Sequence, residues 1–338
     1  KSEPTSRRLV FWPRTRSPVL LLANRSSQDV AYYGAIKLLS DGSSDLESAT
    51  DAEPPRSDRL LAAYLSSADW IRAFGDAGHY DASSGLAITD WNAVLTASRR
   101  LAERVRSSGY NGLVACIAAD GSALTPIDAF GNSPRYDNGR LASDGSDPIQ
   151  KDVVEALLRI FDREGLQLVP AIYLSAPLPV LESLLHIDHP AKNGFIWVDP
   201  HGQSWRDVAR GNRSHGFHYN LLSPEVQTHL SQAACALAER YAHHPSLGGI
   251  AIQMPGDGFG LLPDLQWGMD DATVVRFAQA AGLAHELPTS LSFQERSQRL
   301  TGPLASQWET WRRSEATKFY RTLARELQSK RRPLRIVL

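Results

Sequence analysis

Surplus charge of either sign is missing from this sequence: 36 Lys and Arg stand against 37 Asp and Glu in 338 residues, a formal net charge of -1. Phosphate binding needs a basic surplus or stripe, so nucleic acid is not an expected partner. Cysteine is scarce as well. Cys116 and Cys235 lie far apart, outside any CxxC and each within an apolar run, which places both in the core as thiols rather than in a disulfide. No stretch reaches the roughly 18 apolar residues of a membrane span, and residues 1–8 lack the apolar centre of a signal peptide. No GxGxxG follows an apolar run, and no GxxxxGK[ST], HExxH or GxSxG occurs. Dinucleotide, P-loop, zincin and serine-hydrolase readings therefore lack their motifs, and neither a cofactor nor a metal is expected. The chain opens on Lys1 without an initiator Met, and its last apolar run stops at Leu338. A mature product or an excised piece fits both features, so localisation stays open, with a secreted or periplasmic location compatible with a processed start.

What is present reads as an ordinary globular protein, 42% hydrophobic and 22% charged. Residues 8–12, 19–23 and 30–39 are β-favouring runs separated by Pro13, Pro18 and a polar turn, so residues 1–40 form a β-rich segment, the expected remnant of a β-sandwich. Residues 41–58, rich in Ser, Asp, Glu, Gly and Pro, have linker composition. From residue 59 onward, apolar strand runs at 60–65, 112–118, 166–174, 248–254 and 333–338 alternate with helical periodicity at 90–108, 152–164, 223–243 and 305–329. Such alternation implies a parallel sheet, either doubly wound or closed into a barrel. The connections are long after the strands and short after the helices, which places elaboration on one edge and favours an α/β fold of the (β/α)8 TIM-barrel type over residues 59–338. With about five of eight strands, the barrel is incomplete in this chain, and further domains or a further chain segment would complete it.

In such a barrel, chemistry sits at the carboxyl-terminal ends of the strands. There Asp120, in AADGS, and Asp257, in PGDGFG, are the carboxylates that directly follow an apolar strand among small residues. Two carboxyl groups about 5 to 10 Å apart are what glycosidic cleavage requires, one as acid and the other as nucleophile or base. Asp257 is the better placed, with Asp120 its helper. Each Asp could instead simply cap or turn its loop. Tyr173 and Gln253 stand at strand ends, and Asn220 and His218 lie in the long loop at 176–222. Trp70, Trp205, Phe259 and Trp267 fall in loops of the same edge. Flat rings stack on sugar C–H faces while amide, imidazole and phenol groups bind hydroxyls, so these eight residues are the expected substrate-binding set. One ring alone would ordinarily just pack its loop against the barrel. His215 and His218 lack a third metal ligand, and His243-His244-Pro245, at a helix end on the opposite edge, reads as a C-terminal cap.

Several segments resemble a known group. YNLLSPEVQTHLSQAACALAERYAHHPSLGGIAIQ (residues 219–253) is similar to the stretch of bacterial barrel glycosidases in which an N-x-x-x-P-x-V phrase opens a helix and RY-x-x-HP leads into the catalytic strand. GYNGLVACIAADG (109–121), DPIQKDVVEALLRIFDREGLQLVPAI (147–172) and WVDPHG (197–202) resemble further parts of the family-10-like glycosylhydrolases and, more distantly, the family 42 β-galactosidases. The resemblance implies a barrel hydrolase acting on an oligo- or polysaccharide. It departs at the decisive place: where those families carry an acid at the end of the fourth strand, this chain reads Gln253-Met254-Pro255-Gly256-Asp257. Either Asp257 serves from a shifted position, or the barrel binds or scaffolds carbohydrate without cleaving it.

Overall fold

The computed structural model describes residues 59–66, 70, 74–75, 80–81, 86–87, 90–119, 122–130, 152–173, 178–185, 189–208, 219–254, 262–331 and 333–338. The β-rich segment expected at 1–40 and the linker at 41–58 lie outside the described residues.

Strands form where the apolar runs place them: β1 (Ala62–Leu65), β4 (Gly112–Ala119), β6 (Gln167–Tyr173), β7 (Gly249–Gln253) and β8 (Arg335–Val337). Between β1 and β4 lies a short antiparallel pair, β2 (Tyr80–Asp81) and β3 (Leu86–Ala87), and β5 (Ser122–Ala123) folds back antiparallel on β4. The main sheet runs β1-β4-β6-β7-β8 with every neighbouring pair parallel. Each new strand is added on the same side of the last. A doubly wound sheet reverses direction at a switch point, whereas winding in one direction is how a barrel wall is laid down. Among the described residues β1 and β8 do not pair, so five parallel strands are seen and the eight-stranded closure is not.

The connecting helices begin and end on local signals. α1 (Asp90–Ser107) precedes β4. α2 (Val153–Glu164) starts at Asp152, whose carboxylate accepts the Glu155 N–H, and stops at Gly165 in the left-handed conformation. The loop after β6 carries three short helices, α3 (Pro179–Leu185), α4 (Pro190–Asn193) and α5 (Trp205–Val208), before α6 (Pro224–Arg240), which has Pro in its first turn. Residues 262–304 read from sequence as one long loop, yet they contain α7 (Asp271–Ala281), capped by Asp270 and ended by Gly282, and α8 (Phe293–Thr301), opened by a Ser292–Glu295 capping box. α9 (Ala305–Lys330) leads to β8. None of the described helices is long and apolar enough to cross a membrane.

Alternation along the strands sorts side chains onto two faces. Leu113, Leu168, Ile172, Ile250 and Ile252 join the helices in the main core, while Val169, Ala171 and Ala251 form a small second cluster on the other face with Leu60, Val114 and Val337. Helices therefore cover one face, the outer, and the small cluster lies on the inner face. Cys116 and Cys235 form no disulfide.

Asp152 also ties two helices together. It accepts Tyr241 Oη at 2.6 Å and the Arg240 guanidinium at 2.6 and 2.9 Å, joining the start of α2 to the end of α6.

Candidate functional site

The inner face continues beyond its apolar patch toward the carboxyl-terminal ends of the strands. Two residues past Ala171 and Ala251 in their strands, Tyr173 and Gln253 stand side by side in register. Tyr64 and Cys116 occupy the same face, and partial burial together with Cys116 and Tyr173 raises the Tyr64 phenol above its ordinary value. Gln253 Nε2 donates to the Ser66 carbonyl at 3.1 Å, in the chain just after β1. In a flat sheet β7 and β1 would be separated by three strand spacings, about 14 Å, far beyond a glutamine's reach. The edge therefore curls over the inner face. Gln253 Oε1 is buried and has no hydrogen-bond partner among the described residues.

Two of the expected rings meet on loops packed against the main core. Trp205, after β6, and Trp267, after β7, lie with centroids 4.4 Å apart and planes tilted by 56°, both half-buried. Their loops are stitched together, since Gly268 and Met269 donate backbone N–H groups to the Val198 carbonyl, and Trp205 N–H donates to the Trp197 carbonyl. Gly268 has φ +103, and a Cβ there would press on Trp308 and Trp197, so glycine alone fits the close approach. Beneath lies a buried floor. Arg312, 1% exposed, donates to the carbonyls of Asp264 (2.8 Å) and Pro263 (2.7 Å) with its guanidinium carbon 5.5 and 5.3 Å from the Trp197 and Trp308 rings. Burial lowers its pKa to about 10, and it remains charged at neutral pH. Trp308 Nε1 donates to the Leu265 carbonyl, and Arg296 holds the far end of the loop through the Met269 carbonyl at 2.9 Å.

Other expected site residues stand elsewhere. Asn220 is 0% exposed, and its amide is consumed inside the protein: Nδ2 donates to Thr273 Oγ1 (2.8 Å) and Asp270 Oδ2 (3.4 Å), while Oδ1 accepts the Leu222 N–H. It locks the start of α6 to the start of α7 and presents no polar atom to a cleft. Trp70 is packed in the main core. A sequence reading cannot separate these from cleft residues, because loop position says nothing about the direction a side chain takes. Asp120, Asp257, His218 and Phe259 lie outside the described residues.

Carboxylates of this edge that sequence reasoning passed over are already engaged. Glu182 accepts Arg206 Nη2 at 2.5 and 2.6 Å and Tyr219 Oη at 2.5 Å, and Tyr219 Oη in turn accepts the Leu178 N–H. Burial and Glu182 together push the Tyr219 phenol far upward. Asp199 accepts the N–H groups of His201 and Gln203, and Asp207 accepts Ser204. Asp270 caps α7, and complete burial raises its carboxyl to about 7. These groups hold loops in place.

No protein-family model and no curated protein matches the sequence. Solved structures similar to the chain include α-L-fucosidase isoenzyme 2 from Paenibacillus thiaminolyticus, at 13% identity and TM-score 0.48, covering 82% of this chain and 32% of that one. The β-galactosidase from Rahnella sp. R3 gives 16% identity and TM-score 0.44 over 83% of this chain and 36% of its own. The β-galactosidase from the psychrophilic Marinomonas ef1 gives 17% identity and TM-score 0.43 over 70% and 34%. The chain spans about a third of the length of each of these glycosidases.

Proposed function

We propose that this chain forms the sugar-binding wall of a glycosylhydrolase-type barrel, of the kind its resemblance to the family-10-like glycosylhydrolases implies, and that it hydrolyses an oligo- or polysaccharide by carboxylate acid/base catalysis. The observation that carries this reading is the Trp205–Trp267 pair, held on two loops that follow parallel strands, the second of them anchored through the Pro263 and Asp264 carbonyls by Arg312. Rings fixed in advance on two hydrogen-bonded loops offer a stacking platform for a sugar at low ordering cost. Tyr173 supplies a phenol, and Gln253 an acceptor that a sugar hydroxyl would satisfy. In sequence, Asp120 directly follows β4 and Asp257 follows β7 by four residues, and this spacing supports the choice of the two. Asp257 is assigned as the principal carboxylate and Asp120 as its partner.

A second reading rests on a specific observation. The described strand ends present Gln253 and Tyr173, and the described loop carboxylates Glu182, Asp199, Asp207 and Asp270 are tied up in caps, turns and ion pairs. A barrel that binds carbohydrate without cleaving it would look the same in these places.

One experiment separates the two readings. The chain is assayed against a panel of poly- and oligosaccharides for release of reducing ends, and in parallel for binding by calorimetry. Hydrolysis predicts release by the native chain, loss of turnover with retained binding in Asp257→Asn, and roughly tenfold weaker binding in Trp267→Ala. Binding that depends on Trp267, without release from any substrate, supports the non-catalytic reading. Absence of binding to any carbohydrate refutes both.

A further inference from the structure

On the opposite edge of the sheet, the turn from α6 into β7 carries His243 and His244. The sequence places no third ligand near them, but the fold does: Glu155, in the first turn of α2, faces the Nε2 atoms of both imidazoles. His244 Nε2 is 2.8 Å and His243 Nε2 is 3.7 Å from Glu155 Oε2, and the three donor atoms all lie within 4.8 Å of one another. We propose that Glu155, His243 and His244 bind a divalent transition-metal ion of the zinc class.

Three features of the arrangement favour an ion. Donor atoms around tetrahedral zinc, with bonds of about 2.0–2.2 Å, are separated by about 3.3 Å. The distances of 2.8 and 3.7 Å bracket that value, so a small rotation of the 59% exposed His243 side chain completes the set. Second, His244 is already oriented as a ligand. Its Nδ1 faces Asp162 Oδ2 at 2.5 Å, while Asp162 Oδ1 accepts the Ser246 N–H, and this fixes the ring with Nε2 turned toward Glu155. A carboxylate behind the imidazole is the usual outer support of a metal-bound histidine. Third, Arg159 donates to Glu155 Oε1 at 2.8 Å and leaves Oε2 for the ion. Two imidazoles with one carboxylate suit zinc and its neighbours, not the all-oxygen shells of calcium or magnesium. On binding, the ion takes the place of the proton shared between His244 Nε2 and Glu155, that proton passes to solvent, and water fills the fourth position on the exposed side of His243. The ion would staple α2 to the α6–β7 turn, far from the strand ends that carry the proposed sugar site, so the two proposals stand or fall separately.

The test uses the full chain, stripped with a chelator and titrated with Zn2+ at pH 8 against a chromophoric competitor. One equivalent is expected to bind, His243→Ala and Glu155→Gln are each expected to weaken it by about tenfold or more, and the exposed His285→Ala should leave it unchanged. Zinc should also raise the thermal unfolding midpoint of the native chain but not of His243→Ala, because binding to the folded state alone stabilises it. His243 is exposed, so its variant tests the ligand without threatening the fold. No stoichiometric binding, or binding that survives both His243→Ala and Glu155→Gln, overturns the proposal.

Discussion

Replacing Arg312 by Met tests whether the buried floor holds the loop that carries Trp267. The guanidinium is 1% exposed and gives two hydrogen bonds, to the carbonyls of Pro263 and Asp264, between the faces of Trp197 and Trp308. Hydrogen bonds from a charged donor contribute about 1.5–3 kcal/mol each. Methionine keeps the buried stem and removes the cost of holding a charge in the interior, which offsets part of that loss. The two carbonyls, however, remain without their donor, and this distinguishes the change from replacing a whole buried ion pair, which can be neutral. A net loss of about 3 kcal/mol follows, equivalent to a fall of about 1 M in the urea midpoint for a slope of about 3 kcal/mol/M. Far-UV circular dichroism during urea unfolding measures it. Arg312→Lys should recover less than half, because a compact ammonium cannot match the planar fork between two rings. A loss below about 0.5 kcal/mol in Arg312→Met, or full recovery in Arg312→Lys, would refute the reasoning.

Three further outcomes are expected. Folding favours the protonated form of Asp270, whose carboxyl is raised to about 7, so its contribution is complete below about pH 4 and fades as pH rises toward 7; the span is worth up to about 4 kcal/mol. Asp270→Asn should flatten that decline, and unfolding midpoints at pH 5 and pH 8 that shift in parallel for both proteins would contradict it. Gly194 and Gly282 both have positive φ, +67 and +72, but a Cβ at Gly194 would also overlap the Asp270 carboxylate, whereas Gly282 faces open space. Gly282→Ala should therefore cost about 1–2 kcal/mol and Gly194→Ala distinctly more, and equal thermal shifts for the two would be inconsistent with the packing described. Tyr241→Phe deprives buried Thr125 and the Asp152 cap of their phenolic partner and should destabilise by about 1–3 kcal/mol, while a chemical denaturation midpoint equal to the native one would show that the tie between α2 and α6 carries no weight.

Local signals in the sequence were enough to place the five strands and four of the helices, because burial on both faces writes continuous apolar runs such as 112–118 and because Asp152 and Gly165 bracket α2. Those signals also supported the parallel arrangement. α7 and α8 were equally available, since Asp270 with Gly282 and Ser292 with Glu295 are ordinary stop and start marks; the absence of long apolar runs there hid them. What sequence could not supply is direction. Asn220 and Trp205 both belong to the stretch between β6 and α6, yet one is buried and spent on Thr273 and Asp270 while the other is half-buried and meets Trp267. Only the tertiary structure decided which loop residues face inward, brought Glu155 beside His243 and His244, and curled the sheet until Gln253 reached Ser66. Periodicity and capping act within a turn or two of the chain, whereas these contacts join residues distant in sequence, and they exist only once the helices and strands have packed.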